Sequence, residues 1–139
     1  MQTVENPRIV LVTGASQGVG ADVVAQLADT HSHVIAGDSD AVALIGDVAA
    51  RFGRLDTLVL TASATRLDRA ELRDLAQRAV RLMPVGGHIV FATSHQAHFY
   101  PHKAVPKGYA ADAARMRAGE TALYAMRSEF SRAGLRFTV

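Results

Sequence analysis

Hydrophobic and polar positions in this chain follow two alternating rhythms. Short apolar runs rich in Val, Ile and Leu occur at 9–12, 33–37, 58–61, 88–93 and 135–139, the pattern of strands buried on both faces. The segments between them are spaced for helices. Val19, Val23, Val24 and Leu27 fall on one helical face, with Asp22, Gln26 and Asp29 elsewhere. Over 68–83, Leu72, Leu75, Ala79 and Leu82 point inward, and an outer face carries Arg69, Arg73, Arg78 and Arg81 among Glu71 and Asp74. That outer face reads as solvated or as a helix-pairing surface. Pro84-Val85-Gly86-Gly87 breaks the chain, and one long helix is predicted over 109–132. Residues 1–6 read as a loose arm, with Pro7 at the entry to the first strand.

Residues 40–56 admit two readings. In one, 41–45 is a third strand followed by Asp47-Val48 in a loop. In the other, 40–52 is a helix: Ala41, Ile45, Val48 and Phe52 recur at steps of four, three and four, Asp40 is placed to cap, and Gly53 is a stop. The helix is preferred. Strands alternating with helices predict one domain over 1–139, an α/β fold with a mostly parallel sheet.

The run at 9–12 leads directly into Thr13-Gly14-Ala15-Ser16-Gln17-Gly18-Val19-Gly20 and then a helix. Strand, glycine-rich turn and helix together give the glycines a phosphate-binding meaning. Gly14 suits the tight turn, Gly18 admits a pyrophosphate to the backbone, and Gly20 lets helix and strand pack closely. The free N–H groups of the helix N-terminus face the anion. Asp38 follows Gly14 by 24 residues and closes the second strand. A carboxylate there accepts hydrogen bonds from an adenosine ribose, favouring NAD over NADP, whose 2′-phosphate it repels. Asp38 could equally be a helix cap within Asp38-Ser39-Asp40.

This string, Thr-Gly-x-x-x-Gly-x-Gly after a β-run, resembles the cofactor loop of the short-chain dehydrogenase/reductase family. The resemblance implies a three-layer α/β/α Rossmann-like, doubly wound sheet. It also implies dinucleotide contacts from Gly14, Ser16, Gln17, Gly18, Val19 and Gly20, from Asp38 and Ser39, and from Ala62 after the 58–61 strand. Arg51-Phe52-Gly53-Arg54-Leu55-Asp56 resembles the end of the family helix that leads into its fourth strand, so one helix and one strand that normally intervene are missing. Removing that edge from the family order 3-2-1-4-5-6-7 leaves a sheet ordered 2-1-3-4-5, which is also a viable doubly wound order. At 60–63, Leu60, Thr61 and Ser63 depart from the family's Asn-Asn-Ala-Gly.

Gly86 to Ser94 resembles the family segment that ends in the serine polarising the substrate carbonyl, which makes Ser94 the counterpart; a serine capping a turn is the plainer alternative. The family's proton is handled by a Tyr with a Lys four residues later. A free phenol has a pKa near ~10, so a positive neighbour is needed for it to serve as a base near neutrality. Here the Tyr-x-x-x-Lys motif is degenerate. Counting from Ser94 gives Tyr109 followed by Ala113, whereas aligning on Arg117-Ala118-Gly119-Glu120 puts Asp112 and Met116 in the two places. Tyr109 and Met116 share a helix face, but a thioether supplies no charge. Lys103, Lys107 and Arg115 are the substitutes at hand. Asn6 is the only Asn, so the family's helix Asn is missing too. The implied function is an NAD(P)(H)-dependent oxidoreductase, shortened and weakened, acting on a small carbonyl or alcohol through Ser94 and Tyr109. The alternative is a non-catalytic dinucleotide-binding module. The helices at 68–83 and 109–132 resemble the family's dimerisation pair, which implies a homodimer.

Composition narrows the partners. Apolar residues make up 49%, charged residues 20%, and the formal net charge is +2; with no basic–aromatic stripe, nucleic acid is not expected. There is no Cys, which excludes disulfides and thiolate metal sites. No apolar run has the length of a membrane span and residues 1–6 lack a signal-peptide core, so no membrane partner is expected and a cytoplasmic location is the default. His95, His98 and His102 could offer imidazoles to a metal, but Pro101 interrupts the helix that would align them; they are read as loop histidines at the rim of the site, with no metal.

Overall fold

The computed structural model describes residues 7–14, 18–28, 30–37, 40–61, 67–102 and 104–139. Five strands, β1 (Arg8–Thr13), β2 (Ser32–Gly37), β3 (Thr57–Thr61), β4 (His88–Ala92) and β5 (Arg136–Thr138), form one sheet in the order β2-β1-β3-β4-β5. Every pairing is parallel, with Val10 opposite Val34 and Thr57, and Val59 opposite Val90. The helices are α1 (Gly18–Leu27), α2 (Ala41–Arg51), α3 (Arg69–Leu82), α4 (His95–His98), α5 (Ala110–Tyr124) and α6 (Arg127–Arg132). The 2-1-3-4-5 order expected from the missing edge is the order found.

The two-residue period of the strands sorts the core into layers. Ile9, Leu11, Leu58, Leu60, Ile89 and Phe91 face one way, into a core completed by α2, α3, α5 and Phe130 of α6. Val10, Val12 and Val59 face the other way, against Val23, Val24 and Leu27 of α1. This is a three-layer α/β/α, Rossmann-like sheet. Its layers are unequal: among the described residues α1 is the one helix on the second face, and Val90 and Ala92 of β4 stay partly open there.

Residues 41–51 are helical, as the four-three-four spacing required. Ala41, Ile45 and Val48 are buried, the Asp40 carboxylate accepts from Val42 N–H at 3.0 Å, and Gly53 stops the helix at φ 70°. The alternative with Asp47-Val48 in a loop is thereby overturned; Asp47 lies on the outer face, paired with Arg51 at 3.4 Å. Helix α3 opens with a reciprocal box, Asp68 accepting from Glu71 N–H at 2.8 Å while Glu71 accepts from Asp68 N–H at 3.4 Å.

The single helix predicted over 109–132 is in fact two. The chain turns at Ala125 and Met126, where no Gly or Pro warned of a break. Arg127 Nη1 donates to the Tyr124 carbonyl at 3.1 Å, satisfying one acceptor at the end of α5. The turn buries Met126 and swings Phe130 into the core against Phe137, ring centroids 5.5 Å apart. The short helix α4 was also not predicted. None of the helices among the described residues is long and apolar enough to cross a membrane.

Candidate functional site

In a parallel sheet all strand C-termini lie along one edge. Connections that leave opposite faces open a crevice there. Here α1 packs on the Val10–Val12 face and α2 on the Ile9–Leu11 face, so the crevice lies over the ends of β1 and β3. Gly14 sits at that point with φ 71°, a left-handed conformation suited to glycine, and its N–H donates to Gly37 O at 2.9 Å. Gly18, Val19 and Gly20 form the first turn of α1, and Gly20 is buried. Ser16, Gln17, Asp38, Ser39 and Ala62 lie outside the described residues.

Two buried threonines floor the crevice, and sequence reasoning gave them no role. Thr61 Oγ1 donates to Thr13 O at 2.6 Å, Thr61 N–H to Thr13 Oγ1 at 3.4 Å, and Thr13 Oγ1 to Val59 O at 3.4 Å. These bonds join the ends of β1 and β3 beyond the last paired residues, Val12 and Val59. The Thr61 departure from the family's Asn is thus a side chain that satisfies buried backbone.

At the end of β4 the chain brings Ser94 and Tyr109 together. Ser94 Oγ and Tyr109 Oη are 2.8 Å apart. Ser94 also caps α4, accepting from Ala97 N–H at 3.1 Å, which is the capping role read as its plainer alternative. Tyr109 stands at the start of α5 and makes no side-chain cap bond to that helix. Its hydroxyl lies 3.5 Å from Met116 Sδ two turns on. Asp112, the other candidate for the Tyr place, is on the exposed face and bonded to Arg115. Arg115 is therefore directed to Asp112, Lys107 is exposed, and Lys103 lies outside the described residues.

A cleft at the end of β4, of about 470 Å³, is lined by Ser94 with Thr93, His98 and Phe99, and by Thr138 of β5 and the following Val139. Thr93 Oγ1 is buried there without a hydrogen-bond partner among the described residues. β4 lies two strands from β1, about 10 Å at ordinary strand spacing. A dinucleotide seated at the glycine turn could therefore span to Ser94.

Sequence reasoning missed a further group. Glu120, its side chain only 6% exposed, bonds His98 Nδ1 at 2.7 Å through Oε1 and Arg117 through Oε2. Glu120 had served only to align the sequence, and His98 was read as a loop residue; it is instead the last residue of α4. Among the described residues no three His, Asp or Glu side chains converge as metal ligands.

No family model and no curated protein matches this chain. Solved structures do. A short-chain dehydrogenase/reductase from Serratia marcescens is 22% identical with a TM-score of 0.64, over 92% of this chain and 74% of that one. BdcA, solved in complex with NADPH, is 22% identical with a TM-score of 0.63, over 94% of this chain and 68% of that one. A small-chain dehydrogenase is 17% identical with a TM-score of 0.63, over 96% of both chains. At these identities the likeness is one of fold.

Proposed function

We propose that the chain is a short-chain dehydrogenase/reductase-like oxidoreductase that interconverts a small carbonyl compound and its alcohol. The observation that carries this reading is the 2.8 Å bond between Ser94 and Tyr109, two hydroxyls drawn from separate segments to the C-terminal edge of β4. The crevice at β1 and β3 supports a nicotinamide dinucleotide, because the left-handed Gly14 turn and the buried Gly20 leave backbone free to approach a diphosphate. Gly14, Ser16, Gln17, Gly18, Val19 and Gly20 would hold the diphosphate end, Asp38 and Ser39 the adenosine ribose, and Ala62 the region towards nicotinamide. NAD is favoured over NADP because Asp38 would repel a 2′-phosphate. When bound, the dinucleotide supplies or accepts the hydride.

The chain's own residues do the rest. Ser94 donates to the carbonyl oxygen and holds it near Tyr109, and Tyr109 gives that oxygen its proton as the alcohol forms. In the reverse direction the phenol oxygen takes the proton back. A second reading, a dinucleotide-binding module without turnover, is favoured by one observation: Tyr109 Oη bonds the neutral Ser94 and Met116. The Arg-rich face of α3 is the surface a homodimer would use.

The test is a melting titration with NAD(H) and NADP(H). A native-state ligand at a hundredfold excess over Kd adds about 2.7 kcal/mol of stability, with NAD(H) the stronger. Turnover on a carbonyl panel should then fall by about 10²-fold or more in Tyr109→Phe. No shift with either nucleotide overturns both readings; a shift without turnover selects the module.

A further inference from the structure

We propose that His98, held by Glu120, is the residue through which the Ser94–Tyr109 pair exchanges its proton with solvent. This rests on the oxidoreductase reading above. Glu120 is a buried carboxylate, and burying such a charge is costly unless both oxygens are satisfied. Arg117, three residues away on the same helix, takes Oε2; the other oxygen goes to His98, an imidazole brought from α4. An ionised carboxylate only accepts, so Nδ1 carries the hydrogen. This leaves Nε2, on the opposite edge of the ring, as the atom able to pass a proton, and His98 lines the same cleft as Ser94.

The placement follows from two helical turns. Met116 and Glu120 are four residues apart on the buried face of α5, so they stand one above the other, about 5–6 Å apart. The Tyr109 hydroxyl rests on Met116 and the His98 ring on Glu120. On the other side, α4 begins after Ser94 and ends at His98, with His98 N–H bonded to Ser94 O at 2.9 Å. Ser94 and His98 line one cleft, and the Ser94 hydroxyl is bonded to the Tyr109 phenol at 2.8 Å, so Ser94 is the group through which a proton, directly or over one water, passes between phenol and imidazole.

The protons balance as follows. During reduction the Tyr109 O–H bond breaks and its proton goes to the substrate oxygen; the hydride for the substrate carbon would be supplied by the dinucleotide when bound. The phenolate takes a proton from Nε2–H of the imidazolium, and His98 becomes neutral with Nδ1–H still donated to Glu120. Its side chain is 44% exposed, so it is recharged from solvent. Alcohol oxidation runs the same path backwards. The groups around His98 are Glu120 of α5, with Arg117 bonded to it, the Phe99 ring at 4.9 Å, and, in the same cleft, Ser94, Thr138 of β5 and the following Val139.

The experiment uses the full chain and three variants, His98→Gln, Glu120→Gln and Tyr109→Phe. For His98→Gln, kcat for carbonyl reduction should fall about 10²-fold with KM little changed, and the alkaline limb of the pH–rate profile should disappear. Glu120→Gln, which replaces the acceptor that holds Nδ1–H, should lower kcat with KM little changed. Nitrogen-15 NMR of neutral His98 should show the Nδ1–H tautomer, a readout independent of turnover. An Nε2–H tautomer overturns the proposal, as does a His98→Gln protein that folds and keeps the parent's pH profile. If that profile persists while nucleotide still raises the melting temperature and Tyr109→Phe is inactive, this inference falls and the oxidoreductase reading stands. A parent chain with no turnover removes both.

Discussion

Gly134 offers the sharpest test of how the last strand is delivered to the sheet. It follows α6 with φ 76°, and its neighbours complete a two-bond helix stop: Gly134 N–H reaches Ser131 O at 3.0 Å and Leu135 N–H reaches Phe130 O at 2.9 Å. Gly134 O in turn accepts from Gly86 N–H at 2.8 Å, which ties the end of α6 to the turn before β4. Consider Gly134→Ala. A Cβ there would meet Val85 Cγ1 at 2.9 Å, Cγ2 at 3.1 Å and Cβ at 3.3 Å. The left-handed backbone costs an L-residue about 1–2 kcal/mol, and turning Val85 aside costs about 0.5–1.5 kcal/mol. Lost freedom of the unfolded chain returns about 0.4–1 kcal/mol.

The net expectation is about 1–2 kcal/mol of destabilisation. With an unfolding entropy of about 2.1 cal/mol/K per residue, the 139 residues convert each kcal/mol to roughly 3 °C, so the melting temperature should drop by about 3–7 °C. Val85 is 84% exposed, so Val85→Ala alone should be nearly neutral. The double variant should recover the contact part and keep the backbone part. A Gly134→Ala chain melting within about 1 °C of the parent, or a double variant no better than the single one, would refute this account of the turn.

Two further outcomes are expected. Asp68→Ala removes one arm of the box at the start of α3 and should cost about 1 kcal/mol in urea unfolding, with Asp68→Asn retaining most of it. Burial, and then the charge of Arg136, hold the pKa of His88 below its ordinary 6.5. The unfolded chain therefore takes up this proton first, so the His88 contribution is complete above pH 6.5 and is lost as pH falls towards the lowered folded value. In His88→Gln the stability–pH slope below pH 6.5 should flatten; an unchanged slope would contradict the assignment.

The sheet was legible because its central strands β1 and β3 are buried on both faces and read as apolar runs, and α2 and α3 because each has a stripe and a cap. The site helix was read as helical, but its buried face and its end were not. The buried face of α5 is Ala113, Met116, Gly119, Glu120 and Leu123, where small and charged residues replace the expected stripe. Each has a local cause. Gly119 lies against Leu72 and Phe91, where a Cβ would come within 3.2 Å of both, and Glu120 must meet His98 and Arg117. These causes, Leu72, Phe91 and His98, lie in other segments of the chain, so a periodicity argument cannot find them. The break at Ala125 was hidden for a different reason: it is set by the burial of Phe130 under β5, a contact made only after the chain folds.

The crevice itself depends on connectivity more than on glycine. With β1 between β2 and β3, α1 and α2 must leave opposite faces, and the gap between them opens over Gly14 and Thr61 whatever side chains are present. An edge strand beyond β2 can therefore be absent without touching this gap, and the Thr13–Thr61 bonds keep its floor closed. The glycines have a separate role in the proposed reading: Gly14 makes the left-handed turn, and Gly18 would admit a diphosphate to the backbone. Filling the corner while preserving the order, as in Gly18→Val, should therefore abolish the melting shift given by nucleotide and leave the five-strand sheet intact. A Gly18→Val chain that still responds to nucleotide would place any binding elsewhere, and the role assigned to this turn would fail.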